Sequence, residues 1–293
     1  MSSLCWVALA LAGTVSPFSG RDGGPLRPSE VHASPVSPAP VAAPPTASLY
    51  PSAAAALQVL LALHPRVLAI GEFHQTKATA GIPSALKRFT RRLLPVLHKA
   101  GATDLVVETW LATGSCGEVE KKAVAEVEKT TQRPARTENE VVTLILRAKR
   151  LGLKPRVLRI GCEDYQALTS GNEVDFDRLL RLTRDQLEAK IRAALARKGS
   201  GLVLSYGGAL HNDVDPPSDL VPYAFGPAVA RLVPGRYVEL DLYVPEFIEK
   251  NPTIRAKPWY QVYRHSRRRG RVTLVRRGES SFALIFPSRR RSE

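Results

Sequence analysis

Glu72 and His74 stand two residues apart in Gly71-Glu72-Phe73-His74, and in an extended chain that spacing turns both side chains to one face. A carboxylate beside an imidazole orients the ring, raises its basicity or shares a cation with it. Glu108 ends the apolar run Asp104-Leu105-Val106-Val107, so a buried strand delivers an acid suited to moving protons or pairing with a cation. His211 follows a glycine pair in Gly207-Gly208-Ala209-Leu210-His211, where missing side chains let the backbone approach a ligand closely. These four residues offer two forms of hydrolysis. In the metal-free form, His74 or His211 is the general base toward water, Glu72 orients the ring, and Glu108 stabilises or relays the proton. In the metal-dependent form, His74, Glu108 and His211 bind a divalent metal ion that acidifies a bound water, and Glu72 is the base. Tyr165 and Tyr206 lie near the same run ends and add phenols that ligate iron, so haem or iron binding is the alternative to hydrolysis.

The elements that must position these groups are legible in the apolar pattern. Residues 66–70, 104–107, 156–160 and 202–205 are near-continuous apolar runs, as expected of strands covered on both faces. Helical periodicity fills the intervals at 83–99, 138–151 and 176–197. Strands alternating with helices imply right-handed crossovers and a mainly parallel sheet. Residues 237–244 read as a fifth, alternating strand, and 272–275 with 282–286 as a terminal hairpin at an edge or flap. The expected architecture is a single α/β domain over 53–288, its sheet flanked by helices and closed by a C-terminal β-hairpin. In such sheets ligands bind beyond the carboxyl ends of the strands, where the acids and histidines cluster. No G-x-S-x-G, G-x-x-x-x-G-K-[ST], G-x-G-x-x-G or H-E-x-x-H occurs, which disfavours serine-elbow, phosphate-loop, dinucleotide and zincin chemistry. The segments 114–134 and 214–226 carry no readable pattern.

The motifs Leu68-Ala69-Ile70-Gly71-Glu72-Phe73-His74, Val106-Val107-Glu108 and Gly207-Gly208-Ala209-Leu210-His211 resemble those of a superfamily that unites ChaN-like haem-binding proteins, erythromycin esterases and Tiki metalloproteases. The resemblance runs from Arg66 to Asp213. It implies an α/β fold with a site built from Glu72, His74, Glu108 and His211, and an activity among ester hydrolysis, metal-dependent proteolysis and haem binding. ChaN-like members tend to carry a further histidine after G-E-x-H; here Gln75 to Leu97 contains none, and Lys77 stands nearby.

The chain has 293 residues and a net charge of +15, and residues 253–293 hold 12 Lys or Arg against 2 acids. The basic excess therefore belongs to the C-terminal part. It could contact anionic surfaces, with Trp259, Tyr260 and Tyr263 just upstream as candidate stacking groups. No nucleic-acid motif accompanies it, so nucleic acid is not the expected partner. The expected partner is instead a small-molecule or peptide substrate. Residues 1–15 read as a short signal peptide with an A-x-A-like end, residues 16–52 as a linker rich in Pro and Ala, and 289–293 as a basic tail. Export to the periplasm, envelope or medium is the expected address. Removal of such a leader would leave Cys116 and Cys162, which could then form one disulfide.

Overall fold

The computed structural model describes residues 43–288 apart from Asn172. The expected leader, the linker up to residue 42 and the tail at 289–293 lie outside the described residues. Eight strands form one sheet: β1 (Thr46–Tyr50), β2 (Val67–Glu72), β3 (Ala102–Ala112), β4 (Lys154–Ile160), β5 (Leu202–Gly208), β6 (Tyr237–Tyr243), β7 (Val272–Arg276) and β8 (Ser281–Ile285). The helices are α1 (Ala53–Leu61), α2 (Ala85–Arg88), α3 (Leu94–Lys99), α4 (Glu118–Thr131), α5 (Arg136–Arg150), α6 (Cys162–Leu168), α7 (Phe176–Leu195), α8 (Gly226–Leu232), α9 (Pro245–Ile248), α10 (Pro252–Arg255) and α11 (Pro258–Ser266). None of them is long and apolar enough to cross a membrane.

The strand order is β1-β7-β8-β6-β2-β5-β3-β4. Pairing is parallel from β8 through β6, β2, β5 and β3 to β4, and antiparallel at β1–β7 and β7–β8. The chain is thus an α/β protein with a mainly parallel sheet, as its apolar runs imply. Alternate strand residues feed two cores. Leu68, Ile70, Leu105, Leu204 and Leu240 face α1, α3 and α5, whereas Val67, Ala69, Val106 and Val203 face α7. The Asp175 side chain caps α7, accepting from the Arg178 N–H at 2.9 Å, and the stripe Leu179, Thr183, Leu187, Ile191 and Ala194 is the face it buries.

Three expectations are corrected, and one expected strand is more buried than its pattern suggests. Residues 46–50, assigned to the linker, form β1, and the folded chain starts before Ala53; only two positions of this strand are even partly buried, so it has no apolar signature. The terminal hairpin is not an edge: β8 lies between β7 and β6, and β1 covers β7. Strand β6 alternates in sequence but is buried at every position, because the hairpin turn supplies a cation for its acids, described below. Trp259, Tyr260 and Tyr263 are core residues, with Trp259 against Tyr243 at 4.7 Å between ring centres, so they offer no stacking surface. Arg264, Arg267, Arg268, Arg269 and Arg271 are exposed beside them.

Cys116 and Cys162 form a disulfide, 46 residues apart in sequence, which ties the segment before α4 to the first residue of α6.

Candidate functional site

Glu72 is the last residue of β2 and is 5% exposed, with Gly208 of β5 and Leu242 of β6 beside it. The turn that follows brings His74 back over it, and the imidazole Nδ1 donates to Glu72 Oε1 at 2.7 Å. The other oxygen of Glu72, Oε2, accepts from the Tyr206 hydroxyl at 2.5 Å. Glu72 therefore links a phenol and an imidazole through one carboxylate.

Glu108 reaches the site by a different device. The pairing register of β3 with β4 shifts between Val107 and Trp110, and pairing with β5 stops at Val107, so Glu108 and Thr109 sit in a bulge. Bulges re-aim side chains at the rims of sheets. The Oε2 of Glu108 accepts from the Gly208 N–H at 2.7 Å. This crossing works because β5 ends in two glycines: a methyl group on Gly207 would strike Glu108, and one on Gly208 would stand 2.8 Å from His74 Nε2. The carboxylate lies where those side chains would be.

His211 follows β5 in a tight turn and is 2% exposed. Its Nδ1 donates to the Tyr223 carbonyl at 2.7 Å, leaving Nε2 toward Glu108 Oε1 at 3.9 Å. The sheet edge thus gathers Glu72, His74, Glu108, His211 and Tyr206. Tyr165 does not join them; it packs with Trp110, Ile160 and Leu168 in the core on the other face.

One residue of the site has no motif. Arg133, in the turn between α4 and α5, lays its Nη2 against His74 Nδ1, 3.7 Å from Glu72 Oε1. The turn is held to the loop after β2, since Gln132, in a left-handed cap of α4, accepts the Lys77 N–H at 2.7 Å. Arg136 fastens the same loop from α5, donating to Gln75 Oε1 at 2.8 Å and to the Ile82 carbonyl at 2.7 Å.

No protein-family model matches the chain, and no curated protein matches it. Among solved structures, the type III effector HopBA1 is similar over 87% of this chain and 100% of that chain, at 12% identity and a TM-score of 0.43. This is a distant likeness.

The electrostatics follow from burial and from Arg133. Burial disfavours the imidazolium form of His74 and the Arg133 cation adds to that effect; the hydrogen bond and charge of Glu72 and the charge of Glu108 oppose both without overcoming them. His74 is held below its ordinary 6.5 and is neutral near pH 7. For Glu72 burial acts upward, but the His74 hydrogen bond and charge, the Arg133 cation and the Tyr206 hydrogen bond together hold the carboxyl below its ordinary range. Burial, together with the Glu72 charge and hydrogen bond, pushes the Tyr206 phenol well above 10, so it stays a donor.

Among the acids and histidines of the site, Nε2 of His74 and Oε1 of Glu108 are buried without a hydrogen-bond partner. Nδ1 lies against both the Glu72 carboxylate, an acceptor, and the Arg133 guanidinium, a donor; in the tautomer that donates to Glu72, the neutral ring presents Nε2 as a lone pair. That is the arrangement of a general base. A divalent ion fits less well. Among the described residues no group of three or more His, Cys, Asp or Glu is placed to hold one, and the cation beside Glu72 and His74 is Arg133. The expected ligand set of His74, Glu108 and His211 converges without forming a coordination group.

Proposed function

We propose that the chain is a metal-free hydrolase of ester or peptide bonds, with His74 as general base. The observation that carries this reading is the buried, unpartnered Nε2 of His74 on a ring whose Nδ1 is held by Glu72. In the step proposed, water adds its oxygen to the acyl carbon while His74 Nε2 takes the proton. The acyl C–O or C–N bond then breaks, and the proton passes to the leaving group. Glu72 orients the ring and stabilises the transient imidazolium, as carboxylates do in such pairs. Tyr206 and Arg133 fix Glu72 in turn. Glu108, with His211 across from it, stabilises or relays charge on the far side of Nε2.

This reading agrees with what the motif resemblance implies for the bond-cleaving branches of that superfamily. The haem alternative would want Tyr165 and Tyr206 at one site, and they belong to separate cores. The disulfide supports an oxidising compartment, periplasm, envelope or medium, as the location.

The test is turnover of p-nitrophenyl esters and a fluorogenic peptide library by the purified protein. Glu72→Gln and His74→Ala should each lower turnover by about 10²–10⁴-fold, with near-ultraviolet circular dichroism unchanged, and treatment with chelator should leave the parent rate intact. Turnover that survives His74→Ala rules out the proposed base. A rate lost to chelator and restored by a stoichiometric divalent ion would replace the metal-free form with the metal-dependent one.

A further inference from the structure

A cavity of about 220 Å³ adjoins the site through Arg133, the residue that touches both Glu72 and His74. Its walls are the end of α4, the turn that follows, the start of α5 and Thr109 of the β3 bulge. Arg133 belongs both to this wall and to the pair. The buried part of the lining is otherwise apolar or hydroxylic, with Val127, Thr131, Pro134 and Val141, while Lys77, Glu128 and Glu138 are exposed at the mouth. The interior therefore has one charge, the Arg133 guanidinium, and the other charged groups, Lys77, Glu128 and Glu138, stay at the mouth.

Two groups of this wall are buried without a hydrogen-bond partner, the Thr109 hydroxyl and the Nε–H of Arg133. Buried polar groups normally have partners, and idle ones in a cavity wall are where a ligand would supply them. A guanidinium has five donors in a planar fork suited to carboxylate, and only Nη2 of Arg133 is engaged with the pair. The volume is below the roughly 300–1,000 Å³ of sites for drug-sized ligands, so the occupant is short.

We propose that Arg133 is the specificity residue of the site, and that the cavity takes a short acyl chain ending in a carboxylate, bound by Arg133 and Thr109. The assignment rests on the hydrolase reading for what is cleaved, while the carboxylate site itself can be measured without turnover.

Calorimetric titration with glutarate and with glutaramide is the test. The parent should bind glutarate saturably and glutaramide at least about tenfold more weakly; Arg133→Gln should lose about tenfold or more for glutarate, Thr109→Val a smaller factor, and Arg133→Lys should recover part of the loss. Thermal unfolding of each variant checks that it is folded. In parallel, p-nitrophenyl hydrogen glutarate should exceed p-nitrophenyl butyrate in kcat/KM for the parent, and that preference should vanish in Arg133→Gln. Equal binding of the two ligands, absence of glutarate binding, or binding indifferent to both Arg133→Gln and Thr109→Val overturns the proposal. If glutarate binds through Arg133 but neither ester turns over, the carboxylate site stands and the hydrolase reading falls.

Discussion

Arg133 sits against the imidazole it would serve, and its charge works on His74 in a definite direction. Because that cation helps hold the ring neutral, Arg133→Gln is expected to raise the His74 pKa, and the acid limb of a kcat/KM profile should move to higher pH with it. The ring resonances of His74 followed by NMR across pH would show the same shift; an unchanged or lowered value would remove Arg133 from the electrostatics. Stability carries a related signature. The unfolded chain protonates this histidine near 6.5 while the folded chain resists, so the unfolded state binds the extra proton and stability falls as pH drops below about 6.5. Urea unfolding of the parent and of His74→Gln should therefore converge, or cross, between about pH 7 and 5, where the parent alone loses this contribution. Glu72, His74, Glu108, Tyr206 and His211 were legible as residues at strand ends, where parallel sheets place their ligands. Arg133 was not, because it stands 59 residues from its partner in a stretch without periodicity, and only the folding of α4 brings it in.

The glycines that end β5 are as necessary to the site as its charges. Gly207→Ala would force its methyl group into Glu108, and a loss of about 1–3 kcal/mol in unfolding free energy is expected, with activity falling more than stability explains. Gly208→Ala meets His74 Nε2 instead, so it should leave the fold closer to the parent and silence turnover. Equal activity in the two alanine variants and the parent would mean that Glu108 and Nε2 need no such clearance. The parallel strands were readable because burial on both faces makes them continuous apolar runs. The helix α4 was not, since it buries only Ala123, Val127 and Thr131 among acids and lysines, too thin a stripe to register. Strand β6 misled in the opposite sense. Its alternation looked half-solvated, yet Glu239 and Asp241 are buried against Arg277, whose Nη1 lies 2.7 Å from Asp241 Oδ2 and whose Nη2 donates to Glu239. Burial pushes Glu239 up to about 8; Arg277 pulls it down, but Asp241 and Asp213 add to the rise. Its folded pKa being raised, folding is increasingly opposed as pH climbs from about 4.5 toward 8, and Glu239→Gln should gain on the parent across that window in chemical unfolding. Arg277→Met strands the buried Asp241 and leaves Glu239 without its donor, and is expected to lose about 3–5 kcal/mol.

Across the whole molecule, the disulfide and the C-terminal hairpin hold the periphery to the sheet. Loop-closure entropy for a 46-residue separation puts the disulfide at about 4 kcal/mol, so Cys116→Ala with Cys162→Ala should lower the unfolding free energy from urea titration by that order. The bond anchors the approach to α4, and reduction should also weaken whatever Arg133 contributes. The cysteine count marked these two as a candidate pair; nothing in the chain signalled that the hairpin is interior, because an apolar strand looks alike with one neighbour or two. That placement has a consequence for biosynthesis. Strand β1 at residues 46–50 finds its partner only at 272–276, and β6 stays an open edge until 281–285 has been made. From the synthesis of residue 243 until that of 281–285, then, the ribosome holds a chain with the open edge of β6 exposed, which is a template for aggregation. Messages truncated before codon 285 should yield insoluble product rather than a shorter soluble chain, and fractionation of the translated product checks it: the sheet can close only when its last strand arrives.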